Sequence, residues 1–69
     1  MNMNMNKPTE RWLTTIEAAK HLGYSPYTIR RARLDKMLSG KSGPPYTKAG
    51  RAVRYKLSDL DKWMNGDEL

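Results

Sequence analysis

Two short runs of cations are the side chains in this sequence best suited to chemistry. Arg30, Arg31 and Arg33 follow closely on a Ser25-Pro26 pair, and Lys48, Arg51 and Arg54 crowd around Gly50. A guanidinium presents a planar fork of donors that fits the paired acceptors of guanine or two oxygens of a phosphate, and an ammonium is a point charge for the same phosphates. That chemistry is recognition of a polyanion. Bond-making chemistry has almost nothing to draw on, because there is no cysteine, one histidine, no glycine-rich phosphate loop, and acids that fall at helix caps. His21 alone cannot anchor a metal. No catalytic residue, metal or cofactor is expected.

The arginines need a helix to hold them. Ser25 suits an N-cap and Pro26 the first helical position, where its missing N–H is no loss. A helix from Pro26 at least to Arg33 turns Ile29 and Ala32 inward and leaves Tyr27, Arg30, Arg31 and Arg33 outward. Helix N-terminal residues come closest to base edges when a helix lies in the major groove. Pro26 and Tyr27 suit sugar or thymine methyls, while the Ser25 and Thr28 hydroxyls and the helix amides suit phosphate. The plain alternative is an ordinary solvated helix face. Beyond Arg33 the apolar phase is lost, with Leu34 and Leu38 opposite Ile29, so either the helix ends there or these leucines form a contact surface.

Thr14-Thr15-Ile16-Glu17 fits a capping box, predicting an earlier helix over Thr15–Leu22 with Ile16, Ala19 and Leu22 on its apolar face. Gly23 can take the left-handed conformation that ends it, and Gly23-Tyr24-Ser25 is short enough to join two helices at a steep angle. Ser39 to Pro45 reads as a loop. Tyr46–Lys48 and Arg51–Leu57 read as two strands joined through Ala49-Gly50, with Val53, Tyr55 and Leu57 inward and Ala52, Arg54 and Lys56 outward. The ribbon's cations suit a phosphate backbone or a minor groove, though charge also guards edge strands, and Arg54 could pair with an acid of the last helix. That helix starts at a Ser58 cap, carries Leu60, Trp63 and Met64 on its apolar side, and stops at Asn65-Gly66. Trp12, Tyr55, Leu60 and Trp63 are expected in the core, not on a base-stacking platform.

The formal charge of +6 is uneven. From Arg11 to Lys56 eleven Lys or Arg face two acids, whereas from Leu57 onward one lysine faces four acids. A basic body of this kind draws polyanions through counterion release. In 69 residues there is room for one small domain, which buries only about 60% of its unfolded surface. Residues 1–11 and 66–69 are expected to be tails around a domain at 12–65. No apolar run approaches the roughly 18 residues of a membrane span, so a soluble, cytoplasmic, nucleoid-associated protein of a bacterial or phage-infected cell is expected.

Together these elements make a mainly α fold with a β-hairpin: a winged helix-turn-helix of two helices, a two-stranded wing and a C-terminal helix. Glu17-Ala18-Ala19, the Gly23-Tyr24-Ser25 turn, Gly43-Pro44-Pro45-Tyr46, the Gly50-Arg51-Ala52-Val53-Arg54-Tyr55 wing and the Asp59-Leu60-Asp61-Lys62-Trp63 ending occur in order. In these residues the chain resembles the excisionase-like, MerR-related small winged helix-turn-helix proteins. The resemblance implies double-stranded DNA binding, with Ser25, Tyr27, Arg30 and Arg31 at reading positions and Lys48, Gly50 and Arg51 on the wing. It also implies either an excisionase that assists a site-specific integrase or a phage or plasmid transcription regulator, with self-association on adjacent DNA sites, to which Leu34 and Leu38 would contribute. A protein adaptor whose basic face meets an acidic partner is the rival from another class. The family often carries a bulky aromatic where Ala32 stands, and reaches its Gly-Pro-Pro segment sooner than Arg33 to Ser42 allows here.

Overall fold

Local capping sets the two leading helices. In a computed structural model, which describes residues 11–66, Thr14 Oγ1 accepts from the Glu17 amide at 3.2 Å and Glu17 Oε1 accepts from the Thr14 amide at 2.9 Å. This reciprocal box starts α1, Thr15–Leu22, and Gly23 ends it at φ 83°, a backbone conformation costly for other residues. Ser25 Oγ accepts from the Thr28 amide at 3.1 Å and starts α2, Pro26–Asp35. Both helix starts and the first helix end fall where the sequence places them, and α2 runs two residues past Arg33.

Before α1, β1 (Trp12–Leu13) is a strand that short-range patterns did not suggest. It pairs antiparallel with β5, Ala52–Lys56, which also pairs with β4, Thr47–Ala49, so the sheet order is β1-β5-β4. Ala49 lies opposite Ala52, which places the two-residue turn at Gly50-Arg51, one position later than expected, with Gly50 at φ 62°. The last helix, α3 (Leu57–Asn65), starts directly from β5. Ser58 is not its cap: Lys56 holds the cap position, two residues earlier, and the Leu57 amide donates to the Arg11 carbonyl at 2.8 Å. That bond also ties Arg11, expected in the tail, to the fold. The rest of the expected N-terminal tail, and residues 67–69 of the C-terminal one, lie outside the described residues.

The stretch expected to be a bare loop, Ser39 to Pro45, supplies the turn and second strand of a hairpin of β2 (Met37–Leu38), just before it, and β3 (Lys41–Ser42). Its turn residues Ser39 and Gly40 both have positive φ, 55° and 80°, as a type I′ turn demands. The Tyr24 hydroxyl bonds Ser39 Oγ at 3.2 Å, Lys41 Nζ donates to the Trp63 carbonyl at 2.7 Å, and Trp63 Nε1 donates to the Ser42 carbonyl at 2.6 Å. The hairpin thereby straps the helix-turn-helix turn to the end of α3. Gly43 closes the strap, because a Cβ there would meet the Ala32 carbonyl at 3.2 Å.

Leu13, Ala18, Ala19, Leu22, Ile29, Tyr55, Leu60 and Trp63 form the core. Ile16 does not belong to it and is 64% exposed. Ala18, Ala19 and Leu22 centre the buried face of α1 roughly a third of a turn away from Ile16, so a spacing of three misplaced it. Trp12 is likewise half exposed on the β1 edge, with Lys56 Nζ 5.9 Å from its ring centre, and Met64 and Leu34 face outward. Leu38 packs on the core instead of forming a contact surface.

Truncating Leu60, which is fully buried, should cost about 2–5 kcal/mol of unfolding free energy, whereas Ile16→Ala should cost less than about 0.5 kcal/mol. Urea unfolding followed by tryptophan fluorescence measures both. Equal losses would show that α1 is rotated from the orientation described.

Candidate nucleic-acid interface

The outward stripe of α2 is Tyr27, Arg30, Arg31 and Leu34, all exposed and spaced to lie along one side of the helix. Ser25 and Thr28 spend their hydroxyls on the cap, bonding each other at 2.9 Å, and Pro26 is half-buried at the first helical position. Arg31 reaches Asp35 at 3.4 Å in an exposed pair one turn along the helix, a contact weak enough for a phosphate or base to displace.

The wing carries its cations on both strands and at the tip. Lys48 lies opposite Val53, Arg54 opposite Thr47, and Arg51 occupies the turn beside Gly50. All three cations are exposed. Arg54 donates to the Val53 carbonyl at 2.8 Å, and its charge acts on Glu17 of α1, so its expected pairing with an acid of the last helix is not what the fold provides.

What joins the two sets is an open groove between α2 and the wing. Its walls are Arg30 and Arg33 from α2, Arg51 and Arg54 from the wing with Ala52 and Val53 between them, and Thr14, Thr15 and Ile16 from the start of α1. Among the described residues, four arginines and no acid line it. Ser25, Tyr27, Arg31, Lys48 and Gly50 lie outside its walls. The α1 residues were not among those the sequence singled out, although a first helix that crosses the backbone beside a recognition helix is the geometry to look for. Their cap signature and the supposed core role of Ile16 hid them.

Arg33 differs from its neighbours. It is half-buried, and its NH1 donates to the Tyr55 hydroxyl at 2.8 Å and to Thr15 Oγ1 at 3.2 Å. The expectation that it points outward with Arg30 and Arg31 is corrected by its spacing from Ile29, since residues four apart share a helix face.

His21 bonds Asp61 at 2.7 Å and closes α1 onto α3. Among the described residues no cluster of three or more His, Cys, Asp or Glu is present that could hold a metal ion, and no helix is long and apolar enough to cross a membrane.

Comparison with known sequences fits this geometry. A family described as a helix-turn-helix domain matches residues 12–67. The chain belongs to this excisionase-like helix-turn-helix family. No curated protein matches the chain significantly. The helix-turn-helix assignment makes it a small DNA-binding protein and identifies α1 and α2 as the helix pair, with β4 and β5 as its wing.

Glu17 ties the start of α1 to pH. The Thr14 amide, which donates to its carboxylate, holds its pKa below the ordinary glutamate range, against the opposing effect of desolvation; the Thr14 hydroxyl and the charges of Arg11 and Arg54 also lower it. A lowered folded-state pKa means stability that is present at neutral pH and lost as acidification carries the group through that lowered value. Acid titration of helicity should therefore show α1 loosening below the ordinary glutamate range. Glu17→Gln should flatten that part of the profile, and an unchanged profile would remove Glu17 from the account.

Proposed function

We propose that this protein reads a specific duplex DNA site by laying the start of α2 in the major groove and its wing on the adjoining backbone or minor groove. Ser25, Pro26, Tyr27, Thr28, Arg30 and Arg31 are the helix contacts, and Lys48, Gly50, Arg51 and Arg54 the wing contacts. One observation carries the proposal: Arg30 shares a groove with Arg51 and Arg54 that no acid lines among the described residues, so helix and wing offer one cationic surface. That surface suits a double helix, whose phosphates flank the groove that the bases line.

Within that reading the role we favour is an excisionase that binds clustered sites beside an integrase and assists excision of a mobile element. A phage or plasmid regulator is the alternative, and both use the same surface. Footprinting on the element's ends, with and without integrase, separates them: clustered direct repeats and mutual enhancement with integrase favour excisionase, whereas one operator overlapping a promoter favours a regulator.

DNA binding itself is tested by salt. The logarithm of affinity for random duplex should fall against the logarithm of salt with a slope of about −0.9 per phosphate contacted. Absence of duplex affinity at ~0.1 M salt, where screening acts over about 10 Å, would favour an adaptor that meets an acidic protein. On a specific site, Arg30→Ala or Arg31→Ala should cost about 1–3 kcal/mol and relax base preference, while Lys48→Ala or Arg51→Ala should weaken all sequences alike. Identical behaviour of the two pairs would show that the reading face is misplaced.

A further inference from the structure

Among the cations of the groove, Arg33 is the one that bonds side chains of two other elements. Its NH1 bonds Tyr55 and Thr15, and its guanidinium carbon lies 5.9 Å from the centre of the Tyr46 ring, which in turn stands 6.2 Å from the Tyr55 ring. Tyr55 is 1% exposed on β5, the strand that carries one side of the wing, and Tyr46 directly precedes the other side, β4.

The packing makes this contact consequential. α2 packs chiefly against α1 and β2, and β5 packs against α1, α3, β1 and β4, so α2 and the wing are related mainly through a third element. A side chain that grips α2, the first turn of α1 and the root of the wing at once removes that freedom. Arginine suits the task, because it stays charged under all ordinary conditions and its planar head can stack on a ring while donating from its edge.

We infer that Arg33 is a positioning residue: acting through the Tyr55 hydroxyl, it fixes the wing at the angle to α2 that lets both touch one duplex. This rests on the DNA-binding reading above. It makes Tyr55, which is sealed from solvent and cannot reach DNA, a determinant of how the wing binds. It also predicts that Arg33 contributes little as a phosphate contact of its own.

The test uses the full chain and a random duplex, with Tyr55→Phe and Arg33→Met as variants. Tyr55→Phe deletes one oxygen and should weaken duplex binding roughly tenfold at ~0.1 M salt by displacing wing contacts. The specific sign is coupling. Arg51→Ala should lose most of its effect in the Tyr55→Phe background, whereas Arg31→Ala should keep its full effect there; simple destabilisation would leave both additive. Residual dipolar couplings of the free protein supply a readout without DNA: β4 and β5 should share one alignment frame with α2 in the natural protein and lose it in either variant.

Full additivity with unchanged couplings would overturn the proposal. So would an Arg33→Met protein that loses one phosphate's worth of salt slope while Tyr55→Phe is silent, because Arg33 would then touch DNA directly. If the natural protein has no duplex affinity, the DNA reading falls, and the dipolar couplings alone decide whether Arg33 holds the wing. Should Tyr55→Phe fail to fold, Arg33→Met removes the donor of the same bond, and its coupling to Arg51→Ala and its dipolar couplings decide in the same way.

Discussion

Ala18 and Ala19 are fully buried, and their methyl groups set how closely α2 and the sheet approach α1. A 69-residue chain with two tryptophans and no phenylalanine has few large side chains with which to fill space between layers. It relies instead on a thin central helix that lets neighbours come within van der Waals reach on several sides. α2, α3, β1 and β5 all pack on this one helix. Larger side chains at either alanine would push α2 away from β5, and the groove between the arginines of helix and wing would lose its shape.

Polar contacts complete what that thin core leaves loose. The Lys41 ammonium lies 4.2 Å from the Trp63 ring centre and bonds its carbonyl, at the negative end of α3, where a cation is favoured. With the indole N–H on Ser42 and Tyr24 on Ser39, the β2–β3 hairpin ties the turn between α1 and α2 to the end of α3. Arg33 does the corresponding work on the wing side. Lys41 and Arg33 thus hold the fold, whereas Arg30, Arg51 and Arg54 are exposed along the groove between helix and wing, and Arg31 and Lys48 are exposed outside its walls. Charge totals cannot make that division; only placement can.

The same division explains what was legible in the residues and what was not. Caps are local: Thr14 with Glu17, Gly23, Ser25 with Pro26, and Gly66 each act within one helical turn, so their consequences could be read from neighbours in sequence. The wing's strands were legible too, because alternation around Val53 and Tyr55 extends over several residues. β1 and the β2–β3 hairpin escaped because each strand is two residues long, too short to show a period, and β1 exists only by pairing with a strand over forty positions away. Arg33 and Ile16 were misassigned for one shared reason. Spacings of three and of four both fall on a helix face, and which of them is buried depends on the partner, not on the helix. The residues proposed to face DNA were singled out by type and spacing, while the convergence of Arg30 with Arg51 and Arg54 on one groove needed the fold.

The central claim is that the exposed side of α2 and the wing act as one surface on double-stranded DNA. Amide chemical-shift mapping during titration with a short duplex tests it most directly, since it reports contact residue by residue. The account predicts large changes over residues 25–31 and 47–54 together, with α3 and the β2–β3 hairpin quiet. Changes concentrated on α3 or the hairpin, or on the wing without α2, would contradict it.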